Sequence, residues 1–145
     1  MTGDEHELTS SQCRELLAGG VLGRVAFCTG DGPRILPVNY TVVDDAVVFR
    51  TSAYGALAAH DWRSPLAFEV DAVDHVAQVG WSVLAIGAGE RVADADVLER
   101  IRIAGDPRPW PTGSRPLYVR LEWRELTGRV VGAEDDVLPP RRGQD

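Results

Sequence analysis

The chain has 145 residues, 44% of them hydrophobic and 26% charged, the balance of one soluble globular domain with a single core. Its formal net charge of −7 at pH 7 argues against a nucleic-acid surface, which needs a basic stripe. The acidic start, Met-Thr-Gly-Asp-Glu-His-Glu, lacks the apolar stretch of a signal peptide, and no run approaches the roughly 20 apolar residues of a membrane span, so the expected setting is the cytoplasm with no membrane partner.

The first predicted element is a short amphipathic helix. Thr9 as N-cap and Gln12 three residues later form a capping box, Cys13, Leu16 and Leu17 recur at helical spacing, and Gly19-Gly20 stops it. Cys13 and Cys28 have no Cys-x-x-Cys pairing and read as two buried free thiols. His6, His60 and His75 are scattered without a second ligand at metal spacing, and no metal site is expected. A strand follows over Arg24–Thr29, then a turn at Gly30-Asp31-Gly32-Pro33.

Two β-branched runs flank Asp44-Asp45, so Arg34 to Ser52 reads as a hairpin. Pro37 inside its first strand donates nothing to a ladder, which places it on an edge, at a bulge, or where the backbone faces a ligand. The second strand ends in Arg50-Thr51-Ser52 and runs into Gly55–His60, whose composition favours a short helix reaching to about Trp62. A cationic strand end at a helix start is one way to hold a phosphate; an ordinary hairpin with a polar end is the other reading.

Leu66–Asp71 reads as a strand, Ala72–Val79 as a polar loop, and Gly80–Val92 as a long strand. Its Gly87-Ala88-Gly89 lacks the third glycine of a dinucleotide fingerprint, and no βαβ pattern surrounds it, so these glycines are expected at a bend or bulge. Asp94 or Asp96 can cap a third helix with Val97, Leu98, Ile101 and Ile103 as its apolar positions and Gly105 as its end. The stretch Asp106 to Pro116 sets Trp110 among prolines, to pack on its own core, a partner subunit or a planar ligand. Leu117–Leu126 alternates as a half-buried antiparallel strand, Thr127–Gly132 adds a short last one, and the tail from Ala133 reads as disordered. Residues 1–132 thus form one mainly β domain and 133–145 a tail. Six or seven strands without βαβ alternation, in a chain this short, suggest a small antiparallel barrel.

The order of these segments carries a resemblance. Gly23-Arg24-Val-Ala-Phe, Pro37-Val38-Asn39-Tyr40, Val48-Phe49-Arg50-Thr51, Ala67-Phe68-Glu69-Val70-Asp71, Gly80-Trp81-Ser82-Val83 and the late Pro-Trp-Pro loop together resemble the pyridoxamine 5′-phosphate oxidase-like family, closest to its nitroimidazole-reductase-like branch. The likeness spans residues 8 to 132, and no single motif carries it. It implies a six-stranded antiparallel split β-barrel and a homodimer with two FMN sites at the subunit interface. Position by position, Arg50, Thr51 and Ser52 match the segment that binds the FMN phosphate, and Pro37, Val38 and Asn39 the strand whose backbone borders the flavin ring. Trp81 and Ser82 match the strand that approaches the ring from the side, and Trp110 a late aromatic that reaches the neighbouring subunit's cofactor; for Trp81 and Trp110, core or dimer packing is the alternative.

One departure is Ala56, where the family commonly places a lysine as a second phosphate cation. One charge-assisted contact is worth about 1.5–3 kcal/mol, so FMN is expected to bind more weakly, to be replaced by a deazaflavin coenzyme, or to be lost. Nothing in the chain nominates a catalytic side chain, since a flavin carries its own chemistry. The resemblance therefore implies an FMN-dependent oxidoreductase acting on a small molecule, though not the vitamin-pathway oxidase, whose basic C-terminal segment has no counterpart here. The alternatives are a non-catalytic flavin- or deazaflavin-binding dimer and a cofactor-free relative that keeps only the fold.

Overall fold

A computed structural model describes residues 5–52 and 55–132; the expected tail, 133–145, lies outside them. The strands are β1 (Glu5–Glu7), β2 (Leu22–Thr29), β3 (Gly32–Val43), β4 (Ala46–Thr51), β5 (Leu66–Asp74), β6 (Val79–Arg91) and β7 (Leu117–Val131). Helix α1 (Ser10–Ala18) lies between β1 and β2, and α2 (Ala95–Gly105) between β6 and β7. Neither is long and apolar enough to cross a membrane.

The strands are ordered β1-β7-β4-β3-β2-β5-β6, and β6 pairs back onto β7. Six antiparallel strands, β2 to β7, therefore close a ring, the split-barrel architecture expected from the sequence, and β1 adds a short seventh strand beside the end of β7. The inward side chains fill it: Phe27, Phe49, Phe68, Leu66 and Leu121 are fully buried. Each such burial contributes about 1.5–3 kcal/mol. Helix α1 closes one opening with Cys13, Leu16 and Leu17. Its capping box forms as expected, with Gln12 N–H donating to Thr9 Oγ1 at 3.2 Å and Thr9 N–H to Gln12 Oε1 at 2.8 Å. Helix α2, capped by Asp94, packs outside the barrel, burying Ile101 against Val43, Val48 and Tyr118.

Asp44 and Asp45 both take positive φ, 51° and 57°, giving the β3–β4 hairpin the turn whose twist matches its strands. The Gly87 expectation holds. The β6–β7 register shifts between Ile86 and Gly87, and a Cβ at Gly87 would lie 2.0 Å from the Glu122 carbonyl oxygen.

Several expectations need correction. Ala72–Val79 is not a loop: β5 runs to Asp74 and β6 begins at Val79, with only four residues between them. Backbone pairing continues there although the side chains face water, so the apolar signal that marks a strand is missing. Asp74 closes the turn by accepting from the N–H groups of Val76 and Ala77. The short helix after Ser52 is a single 3₁₀ turn, Ala56–Ala59, so it supplies no appreciable macrodipole for an anion. Thr127–Val131 continues β7 without a break. Ile103 is exposed on α2. Cys13 is buried, but Cys28 is exposed, because it falls on the outward phase of β2, one residue after the buried Phe27.

Candidate functional site

The β3–β4 ladder runs from Val43↔Ala46 to Tyr40↔Phe49 and stops. Continued by one register, it would pair Asn39 with Arg50, then Val38 with Thr51 and Pro37 with Ser52. Instead the strands diverge: β4 follows β7 to Thr51↔Leu117, while β3 follows β2 from Asn39↔Leu22 down to Gly32↔Thr29. Six of the nine residues singled out in the sequence line the two lips of this split.

The lower lip is backbone. Tyr40 N–H donates to the Val21 carbonyl on the β2 side at 3.1 Å. Alternation along an antiparallel strand then turns the amides of Asn39 and Ile35, and the nitrogen of Pro37, toward the split. Proline is tolerated in the middle of β3 because its missing N–H faces an edge with no neighbouring strand. Asn39 is buried, its Nδ2 3.4 Å from the Val21 carbonyl and its Oδ1 accepting from Trp110 N–H at 2.8 Å.

The upper lip carries the charge. Arg50 Nε donates to the Arg115 carbonyl at 3.1 Å, its Nη1 lies 3.8 Å from Asp106 Oδ2, and its guanidinium carbon sits 5.0 Å from the centre of the Tyr118 ring. Thr51 is buried on the inward phase. Burial, then the Asp106 carboxylate that accepts its proton at 2.8 Å, hold the Tyr118 phenol above its usual range. Ala56 is exposed at the start of the 3₁₀ turn.

The proline-rich segment 106–116 bridges the two lips. It is tied to Arg50 through Asp106 and Arg115 and to Asn39 through Trp110. The Trp110 side chain is 67% exposed, so packing on its own core is ruled out, and the ring is presented outward beside the split. The sequence reading missed Asp106, Tyr118 and the Arg115 carbonyl. The available signal was an acid opening the proline loop and a tyrosine on the polar face of the strand after it.

Trp81 and Ser82 stand elsewhere. Trp81 packs partly against the main core, and both residues line a groove of about 520 Å³ with Asp71, Asp74, His75 and Arg129. Across the sheet they lie four strands from Arg50, about 19 Å at normal strand spacing. Going the other way round the ring, β6 approaches Arg50 near Val92, which donates to the Tyr118 carbonyl, roughly 35 Å of strand away from Trp81. By strand order, the two groups therefore stand on different sides of the ring.

Between them lies an outward face with an apolar row, Ile35–Ala26–Ala67–Ile86, directly paired across β3, β2, β5 and β6. Ile35 is 66% exposed. The next row holds Pro37, Leu84 and an ion cluster in which Arg24 Nη2 lies 2.7 Å from both Glu69 and Asp71.

Comparison with known proteins places this geometry in context. A family model described as pyridoxamine 5′-phosphate oxidase matches residues 9–130. An uncharacterized protein, Rv0080, of Mycobacterium tuberculosis is 31% identical over 131 residues, covering 86% of this chain and 85% of its own. A putative pyridoxamine 5′-phosphate oxidase of Corynebacterium glutamicum superposes with a TM-score of 0.76 at 28% identity, covering 90% of this chain and all of that one. The FAD-binding protein of Mycobacterium smegmatis gives 0.71 at 29% identity, covering 86% of this chain and 97% of its own.

Proposed function

The chain belongs to the pyridoxamine 5′-phosphate oxidase family, and from that premise we propose that it is a cytoplasmic flavoprotein, a twofold homodimer that holds FMN in the β3–β4 split and acts as an oxidoreductase on a small molecule. The observation that carries this reading is the split itself. Its lower lip offers fixed backbone groups around Pro37, Val38 and Asn39, which suit the edge of a planar heterocycle. Its upper lip ends in Arg50, Thr51 and Ser52, and the Arg50 guanidinium suits a monophosphate. The residues present fit the group. A related protein that binds FAD supports a flavin, and the single-cation phosphate pole favours the shorter FMN.

The flavin, when bound, supplies the electron-transfer chemistry. The chain's part is to bind and orient it: the β3 backbone fixes the ring edge, Arg50 the phosphate, and Trp110 an apolar wall against water. Trp81 and Ser82, which stand on another side of the barrel, join the same ring from a second copy. The exposed Ile35 row gives that copy an apolar surface to cover.

Subunit complementation tests both parts. Arg50→Ala and Ser82→Trp are each expected to lose FMN. Random mixing of the two unfolded variants, followed by refolding, is expected to restore about a quarter of the sites, because half the dimers carry one intact composite site. No restoration would contradict a shared site, and a wild-type protein that retains no flavin would contradict the flavin reading. Mass spectrometry of the released chromophore distinguishes FMN from FAD and from a deazaflavin.

A further inference from the structure

Arg50, the cation of the split's upper lip, already faces a carboxylate. Asp106 Oδ2 lies 3.8 Å from its Nη1, and Asp106 is itself held in place by Tyr118, whose hydroxyl donates to Oδ1 at 2.8 Å. Tyr118 also lies under the guanidinium, 5.0 Å away, so one side chain positions both partners. The pair is only partly solvated, with the two side chains 29% and 36% exposed.

Asp106 is placed against a local rule. It is the C-cap of α2, where the helix presents its last carbonyls and the negative end of its dipole. An acid there is destabilising unless something compensates it, and Arg50 with Tyr118 is the compensation. A local preference broken at the mouth of a binding slot, and repaired by the slot's own cation, marks a functional position.

We propose that Asp106 is a specificity-determining residue of the split. It is a resident anion on Arg50, which an incoming phosphate must displace or share, and it sets how strongly the site favours the phosphorylated over the unphosphorylated form of the same ring. The proposal rests on the flavin reading above. It adds that this chain's phosphate preference is held down by its own carboxylate, in addition to the missing cation at Ala56.

The test is titration of wild type and Asp106→Asn with FMN and with riboflavin, followed by flavin fluorescence, at low and high salt. Asn keeps the acceptor for Tyr118 and removes the charge. FMN is expected to bind about tenfold more tightly to the variant, riboflavin equally to both proteins, and the FMN gain to shrink as salt rises. Equal FMN affinity in both proteins overturns the proposal and leaves the flavin reading standing. A gain shared equally by riboflavin also overturns it, since Asp106 would then act through the loop's shape. If neither protein binds either ligand, the flavin reading falls and takes the proposal with it. Should Asp106→Asn fail to fold, Tyr118→Phe removes the hydroxyl that holds Asp106 but keeps the ring under Arg50; the expected change is smaller, in the same direction and confined to FMN.

Discussion

The hairpin of β3 and β4 is two structures in one pair of strands. From Tyr40 to Phe49, around the Asp44-Asp45 turn, the strands are laddered, and Tyr40, Val43 and Ala46–Phe49 are buried. Below Tyr40 and beyond Phe49 the same strands part, Ile35 and Pro37 come into the open, and Arg50 turns to the proline loop. The sealed half is held by side-chain volume on both faces, by the barrel core inside and by α2 outside. The open half is held by its outer neighbours, β2 and β7, which leaves its inner edges for something else. Stability and the proposed binding are thus separated along the same strands by a single register step.

The comparison can be broken hardest in the sealed half. Phe49 is fully buried in the main core, and Phe49→Ala is expected to cost about 3–5 kcal/mol, read as a lowered midpoint in urea unfolding. Any loss of ligand binding should then follow the loss of fold.

Alkali attacks the same half with a comparable effect. Tyr40 is buried, donates to the Leu17 carbonyl at 2.6 Å, and has its phenol pushed by burial from 10 to about 12. Folding therefore favours the protonated phenol. The associated stability is intact below pH 10 and is lost as pH rises from 10 toward 12, by roughly 3 kcal/mol in all. Tyr118, also held above its usual range, adds to the fall. Urea midpoints across that pH range should drop steeply for wild type and much less for Tyr40→Phe.

Arg50 sharpens the contrast from the open side. Arg50→Ala is expected to weaken FMN by roughly one to two decades, from about 1.5–3 kcal/mol, enough to lose it on purification, while leaving riboflavin affinity nearly unchanged; the thermal midpoint should fall slightly as Asp106 loses its cation. Equal losses for both ligands would make Arg50 a strand-end anchor for the proline loop rather than a phosphate ligand.

How much of this could be read beforehand follows the same division. The sealed half, the α1 capping box and the alternating start of β7 were legible because burial imposes a period on side chains. The segments that form the lips of the split were singled out by resemblance, and Pro37 alone signalled on physical grounds that one edge of β3 lacked a neighbour. The β5–β6 hairpin was mistaken for a loop at Ala72–Val79, because pairing there is carried by the backbone and leaves no apolar trace. The helix at Ala56 shrank to one 3₁₀ turn, as helix propensity over so few residues does not offset nucleation. Asp106 was invisible because its meaning depends on Arg50 and Tyr118, brought beside it only when β4 pairs with β7. The distance between the split and Trp81–Ser82 needed the closed ring to be seen.

Amide hydrogen exchange of the full chain, with and without saturating FMN, tests the central claim most directly. The account predicts new protection at the amides of Ile35, Asn39 and Arg50, which face the split, while the amides of Thr41 and Val43, of Ala46–Phe49, and of Trp81–Ser82, paired on both sides, are already closed and do not change. FMN that binds while leaving the split unprotected would contradict it.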